Sequence, residues 1–388
     1  QGIRTSKNKV YVVEVLDADR IESADTGGTV TVIPSGFSEE FEIETDLLRP
    51  FLQGNDVERW RGEWSGSHVV YPYHVHNEDG ERSATLYSEE ELRQETPLTW
   101  EYFRAYEDEL RGRERGAWED SDTWWEFGRT QNLEKFEQRK IVQAHICRNA
   151  TFMIDEAGTW YFTTAYGVLL KPNYREITEE VACQLNSKAL DFYFKHITTV
   201  KAGGYYEYRS QYVEKLPCIV SENPSFPVMR EKSESIVDTI DLESKTERFP
   251  EAYLGDFEGE LDYIDYEWQT RRYPVDAHIQ AQADGTFAVE AGRSDSITDP
   301  RMNSEDRAKY VHAAVDGRNV KSGEEMSIPI PRRDEDVRAL LDALEEDKET
   351  VENTDIGELE TEIDQAVYEM FELTEEEREV IEDYLEVF

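Results

Sequence analysis

Between Gly128 and Lys215 twelve cations stand against ten acidic residues, whereas acid prevails elsewhere in the chain. Arg129, Lys140, Lys201 and Arg209 are among these cations. Tyrosines interleave with them at Tyr166, Tyr174, Tyr205, Tyr206, Tyr208 and Tyr212, with Trp124 and Trp125 just upstream. These residue types have a common use. Arg and Gln read base edges with two hydrogen bonds at once, Lys neutralises phosphate, and aromatic rings stack or wedge. The competing reading is a protein surface that is merely less acidic, its aromatics belonging to a core, and composition leaves both open.

Signatures of catalysis are missing: the sequence holds no G-x-S-x-G, G-x-x-x-x-G-K-[ST], H-E-x-x-H or G-x-G-x-x-G. His74-Val75-His76 could ligate a metal from one strand face, but beside Tyr71, Pro72 and Tyr73 the same spacing reads as a strand edge. Carboxylates are too abundant for any pair to single itself out as an acid/base dyad. Glu137 with Lys140 comes nearest to a divalent-metal nuclease pattern, without the upstream Asp such a centre needs. Cys147, Cys183 and Cys218 are widely spaced and form no C-x-x-C, which disfavours a disulfide framework and a zinc site and points to a reducing compartment.

The elements that must position these side chains are legible in outline. Val10–Val13 and Thr29–Ile33 read as strands around a turn at Asp25-Thr26-Gly27-Gly28. Ser88 with Glu91 forms a capping box that opens one or two amphipathic helices over 88–115. Lys140–Ile146 and Thr151–Ile154 read as strands, the latter turning through Asp155-Glu156-Ala157-Gly158 into Trp160-Tyr161-Phe162 as a hairpin. Thr178 starts a helix with Val181, Leu185, Leu190, Tyr193 and Phe194 on its apolar face, and Leu216-Pro217 reads as the end of a packed strand. Short strands around Asp284-Gly285 lie in a separate or inserted subdomain over 247–330, and Leu340, Leu341 and Leu344 predict a helix before the last one, which Thr374 and Glu377 cap. The expected class is α+β: a mixed, twisted sheet with packed helices, a small β-containing subdomain, and a helical tail. The boundaries are 1–225 for the first domain, 226–335 for a linker helix and acidic subdomain, and 336–388 for an acidic helical region.

Acidic residues outnumber basic ones by 86 to 42, a net charge of −44, which excludes a generic basic nucleic-acid binder. Arg outnumbers Lys by 28 to 14. A hydrated acidic surface of this kind keeps proteins soluble in a salt-adapted cytoplasm. Residues 1–220 carry −14 and residues 221–388 carry −30, so a polyanion partner should meet the first part. No apolar run approaches the roughly 18 residues of a membrane span, and Glu14 cuts the apolar stretch near the start. A soluble, cytoplasmic chain is expected. It opens on Gln1, from which a preceding part is expected as well.

In order and spacing, several short segments together resemble the TaqI-like C-terminal specificity domain of adenine-specific DNA methyltransferases, including fused type IIG restriction-modification enzymes. They are Gly2–Val13, Leu47–Val57, Val70-Tyr71-Pro72-Tyr73, Trp125–Gln131, Lys140-Ile141-Val142, Leu185-Asn186-Ser187-Lys188, Gly203-Gly204-Tyr205-Tyr206 and Gln211–Pro217. Ile363–Tyr368 with Leu373–Glu377 is similar to the end of such enzymes. The resemblance implies double-stranded DNA as partner, with the catalytic chemistry placed N-terminal to this region. There S-adenosylmethionine would be bound and the N6 of a flipped adenine methylated. This sequence lacks the cofactor-binding glycine motif and the Asn-Pro-Pro-aromatic motif; Asn223-Pro224-Ser225-Phe226 follows the specificity block and lacks the second Pro. The expectation is therefore a recognition part that has no cofactor of its own and works with an N-terminal methyltransferase domain or a separate catalytic chain. A free-standing specificity subunit and an acidic interaction protein are the other readings.

Phosphate contacts lose affinity steeply with salt. In a salt-rich cell, base-edge and shape contacts would carry more of the binding, and one locally basic groove would suffice. The candidate DNA contacts are Arg129 and Gln131 after the aromatic run, Lys140 on the next strand, and Lys201, Tyr205, Arg209 and Gln211 around the glycine turn.

Overall fold

The computed structural model describes residues 1–16, 28–78, 80–255 and 257–387. Its contacts divide the chain into two units, residues 1–233 with 360–388 and residues 234–359. The C-terminal stretch is thus shared between the units: the helix Asp334–Asn353 lies in the second, and the helix Glu375–Val387 in the first. This differs from the expected run of three successive regions. The turn expected at Asp25-Thr26-Gly27 falls outside the described residues.

The strands of the first unit are, in chain order, β1 (Val12–Val15), β2 (Thr29–Pro34), β3 (Phe41–Glu44), β4 (Leu48–Leu52), β5 (Ser67–Val70), β6 (Tyr73–Glu78) and β7 (Glu81–Leu86). They continue as β8 (Lys140–Ala144), β9 (Ile146–Cys147), β10 (Met153–Asp155), β11 (Tyr161–Phe162), β12 (Ala165–Val168), β13 (Val200–Lys201) and β14 (Tyr205–Glu207). A six-stranded mixed sheet has the order β11-β4-β5-β1-β2-β3, with only the β11–β4 pair parallel. Two three-stranded sheets, β10-β8-β12 and β13-β14-β9, complete the frame with the β6-β7 ribbon. Alternation in β2 buries Val30 and Val32 on one face, whereas all five residues of β8 are buried, as in a strand covered on both sides. The first strand starts two residues later than its composition predicts, because Asn8–Tyr11 closes a helical turn and Tyr11 donates its buried hydroxyl to the Trp125 carbonyl at 2.7 Å.

The hairpin expected between β10 and β11 does not form. Asp155 is buried, and its carboxylate accepts the Thr159 and Trp160 N–H groups at 2.9 Å each. That local turn sends β11 away to pair with β4, while β10 pairs with β8. Ser88 and Glu91 do form the capping box, on the helix Glu89–Glu95. The single helix expected after Thr178 is two, Thr178–Asn186 and Lys188–Ile197, broken at Ser187, whose Oγ caps the second by accepting the Leu190 N–H at 3.3 Å. Leu216-Pro217 lies in irregular chain, not a strand.

The helix Ile356–Met370 supplies a buried acid to this unit. Asp364 Oδ1 accepts the Lys188 N–H at 2.8 Å, and burial pushes its carboxyl up to about 6 against the pull of Lys188. The folded protein therefore holds a proton that the unfolded chain releases near pH 4, so the contribution of this group to stability falls as pH rises from about 4 through about 6. Asp364→Asn is expected to flatten that window in urea melts at a series of pH values. A wild-type slope retained in the variant would assign the effect to another group.

The second unit has its own core, with Ile264, Trp268, Val289, Tyr310, Val311 and Ile330 at its centre. Its strands are β15 (Leu261–Glu267), β16 (His278–Ala281), β17 (Phe287–Ala291), β18 (Asp295–Thr298) and β19 (Glu325–Pro331). β15 and β19 pair antiparallel over seven residues, and β16-β17-β18 form a meander whose first turn uses Gly285 at φ +90°. The architecture as a whole is α+β.

Candidate nucleic-acid interface

Residues Gly2–Thr5 run as extended chain between two other segments. On one side the Gly128 and Arg129 N–H groups donate to the Thr5 and Arg4 carbonyls at 3.2 and 3.0 Å, an antiparallel bridge that sets Arg4 opposite Arg129. On the other side Gly2 and Ile3 donate to Ala165 and Phe162 at 3.0 and 2.8 Å. The result is a polar hollow of about 400 Å³ edged by Arg4, Arg129, His145, Thr164 and Tyr166. A smaller one of about 180 Å³ shares Arg4 and Arg129 and adds Gln131 and Asn132. Ser6, Asn132 and Thr164 have φ of 60°, 63° and 50°, a left-handed conformation that is costly for a β-branched residue such as Thr164.

Arg129 and Gln131, both expected as DNA contacts, are thus brought together on this cleft and exposed. Arg129 is not free: its guanidinium lies 3.3 Å from Glu114, which also accepts the Ser6 hydroxyl. The Ser6 hydrogen bond and the Arg129 charge hold the Glu114 carboxyl below its ordinary range.

The second predicted group gathers on the β13-β14 hairpin. Lys201 and Arg209 converge on Glu207, at 3.3 and 2.7 Å. Burial pushes the Glu207 carboxyl up, but the hydrogen bonds from Arg209 and Lys201 outweigh it and the net shift is downward. Tyr205 is exposed with the Arg148 guanidinium 5.1 Å from its ring centre, and Gln211 is exposed on the short helix Ser210–Val213. Gly203 and Gly204, at φ +77° and +75°, make the hairpin turn. His145 joins the two groups. It lines the hollow, its Nε2 lies 3.3 Å from Glu207, and its ring meets Tyr166 edge to face. Burial lowers its pKa, opposed by Glu207 and reinforced by Arg209 and Arg4.

Lys140 does not join them. It is 3% exposed, ion-paired with Asp155 and bonded to the Phe136 carbonyl, so this candidate contact is corrected to an internal cation. Burial depresses its pKa and Asp155 counters that. Of the aromatics interleaved with the cations, Trp124, Trp125, Tyr206 and Tyr208 are core, while Tyr174 and Tyr205 are exposed. The Leu185–Lys188 segment is structural: the Asn186 side-chain amide pairs with both backbone groups of Phe152, at 2.7 and 2.9 Å.

Three residues of the cleft escape sequence reasoning. Arg4 and His145 carry no local signal, since their place depends on strands far apart in the chain. Arg113 is buried and donates to the Thr5 and Trp124 carbonyls at 3.1 and 3.0 Å, tying the cleft floor to the aromatic run. Among the described residues no group of three His, Cys, Asp or Glu could hold a metal ion, and burial pushes all three thiols up to about 12. No described helix is long and apolar enough to cross a membrane.

Residues 49–218 match the family model described as a TaqI-like C-terminal specificity domain. Such a domain supplies DNA sequence specificity in restriction-modification enzymes. The match includes Arg129, Gln131, the β13-β14 hairpin and Gln211, and leaves Gly2–Val13 and Ile363–Glu377 outside it. No curated protein matches the chain.

Proposed function

We propose that the chain reads a target sequence in double-stranded DNA as the recognition part of an adenine-N6 DNA methyltransferase of a restriction-modification system. Binding of S-adenosylmethionine and methyl transfer then belong to a domain or chain outside residues 1–388, since the glycine and Asn-Pro-Pro-aromatic motifs are missing here. The observation that carries this reading is the coincidence of the specificity-domain match with the cleft where Arg129 and Gln131 meet. Arg4, Arg129 and Gln131 read base edges or phosphates in this scheme, with Tyr205, Arg209, Gln211 and Lys201 flanking them. Glu114 and Glu207 hold the cations in place in the free protein and are displaced by DNA. A salt-adapted cytoplasm is the setting that the net charge fits.

A second reading, a free-standing specificity subunit that docks a separate catalytic chain, draws on an apolar hollow of about 540 Å³ lined by Leu190, Phe192, Tyr193, Leu373 and Val380. The coding sequence upstream of Gln1 separates the two. The common claim is tested on the protein itself: gel-shift titrations in high salt should show tighter binding to some duplexes than to others. The same preparation should transfer no methyl group from radiolabelled S-adenosylmethionine. Equal binding to all duplexes overturns the recognition reading, and methyl transfer by this chain overturns the placement of the chemistry.

A further inference from the structure

Residues 234–359 hold 14 cations against 33 acidic residues, and most of the cations are engaged by carboxylates. Lys245 meets Asp347 at 2.6 Å, Arg307 meets Asp334 at 2.6 Å, Arg318 meets Glu251 at 2.8 Å, and Arg338 meets Asp306 at 2.7 Å. Arg248, Arg271, Arg293, Lys321 and Lys348 depart from that rule: all five are exposed, and none forms an ion pair with a carboxylate among the described residues. Arg271, Arg293 and Lys321 also gather around one point. An isolated antiparallel bridge joins Arg272 and Val320 by two backbone hydrogen bonds of 3.1 and 3.0 Å, which sets Arg271 in register with Lys321. Arg272 reaches across to the Ala291 carbonyl at 3.1 Å and rests against Gly292, where an added Cβ would lie 2.5 Å from its Nη2. Arg293 is the next residue on that turn.

Nearby acids are turned elsewhere. Asp295 is buried and accepts the Gln269 N–H at 2.7 Å and the Thr270 hydroxyl, with Arg272 at 3.5 Å; Glu324 accepts the Lys321 backbone N–H at 2.8 Å. Like charges directly opposite each other on paired strands repel. In a surface this acidic, a carboxylate paired with each of them would relieve the repulsion, and the described residues provide none. Beside the pair the Arg271 guanidinium lies 4.4 Å from the ring centre of Tyr273, which is 49% exposed, so a cation is presented with a flat apolar neighbour. Free guanidinium groups suit the oxygens of phosphate, and an exposed ring beside them suits the sugar-phosphate edge of a nucleic acid better than a carboxylate peptide.

We propose that this end of the 234–359 unit, formed by Arg271, Arg293 and Lys321 with Tyr273 and held together by Arg272, contacts the DNA phosphate backbone without reading sequence. The inference goes beyond the recognition reading and relies on it only for the choice of DNA as polyanion. Its test uses the full chain with Arg271, Arg293 and Lys321 all changed to Ala, three exposed positions, and a thermal melt to confirm folding. Fluorescence anisotropy on a labelled duplex of arbitrary sequence, over a series of salt concentrations, gives the slope of log affinity against log salt. Every phosphate that the variant no longer neutralises removes about 0.9 from that slope, so a fall of about 2 to 3 is expected. Lys at both Arg positions, with Lys321 kept, should retain the wild-type slope. An unchanged slope in the Ala variant overturns the proposal. So does a loss of binding to phosphatidylserine vesicles with DNA binding intact, which would assign the surface to membranes. Preference among duplexes should be the same in variant and wild type, so failure of the recognition reading shows in the preference and failure of this one in the slope.

Discussion

Asp155→Ala is expected to destabilise the first unit by about 3–5 kcal/mol, the cost of leaving a buried charge without its partner. β8 and β10 pair Lys140 with Asp155 in register, and each side chain is 2% exposed. The carboxylate also holds the turn that follows β10 through the Thr159 and Trp160 N–H groups. Its loss orphans an ammonium and two backbone donors together. Because a domain is stable by only about 5–15 kcal/mol, the variant should show a much lower urea midpoint. Lys140→Met combined with Asp155→Leu removes both charges and should cost less than Asp155→Ala alone. Wild-type stability in Asp155→Ala would show that the Phe136 and Gln138 carbonyls satisfy the Lys140 ammonium without the carboxylate.

Arg129→Ala and Gln131→Ala are expected to lower discrimination between the preferred duplex and its single-base variants, by about 1–3 kcal/mol for each base edge no longer read. Affinity for unrelated duplexes should change less, because phosphate contacts made elsewhere remain. The ratio of dissociation constants for preferred and altered duplexes is the measure, taken at one fixed salt concentration. Arg129 is the stronger case. The Arg4 bridge fixes its backbone, and Glu114 already holds its guanidinium at the rim of the cleft, so little side-chain freedom is lost on binding. An unchanged ratio in both variants would remove these two residues from base readout and leave Arg4 and Arg209 as the cations of the cleft to test next.

Local chemistry was legible wherever a feature is made by neighbours in the chain. The capping boxes at Ser88 and Thr374, the turn at Asp284-Gly285 and the break in the acidic background from Gly128 to Lys215 depend on residues a few positions apart or on composition. The family resemblance was legible in the same way, as an ordered set of short segments, and the match over residues 49–218 agrees with it.

Tertiary structure decided which of those side chains face outward. Lys140 and Arg129 look alike as cations beside aromatic residues, yet the register of β8 with β10 puts a carboxylate against the first, and the Arg4 bridge holds the second at an open cleft. Four of the aromatics read as possible stacking surfaces fill the interior instead. By itself the sequence determined the kinds of element, the acidic surface and the class of domain, because these follow from residue type and short-range spacing. The cleft needed Gly2–Ser6, Gly128-Arg129 and Phe162–Ala165 side by side, and pairing among distant segments is set by the whole core they share.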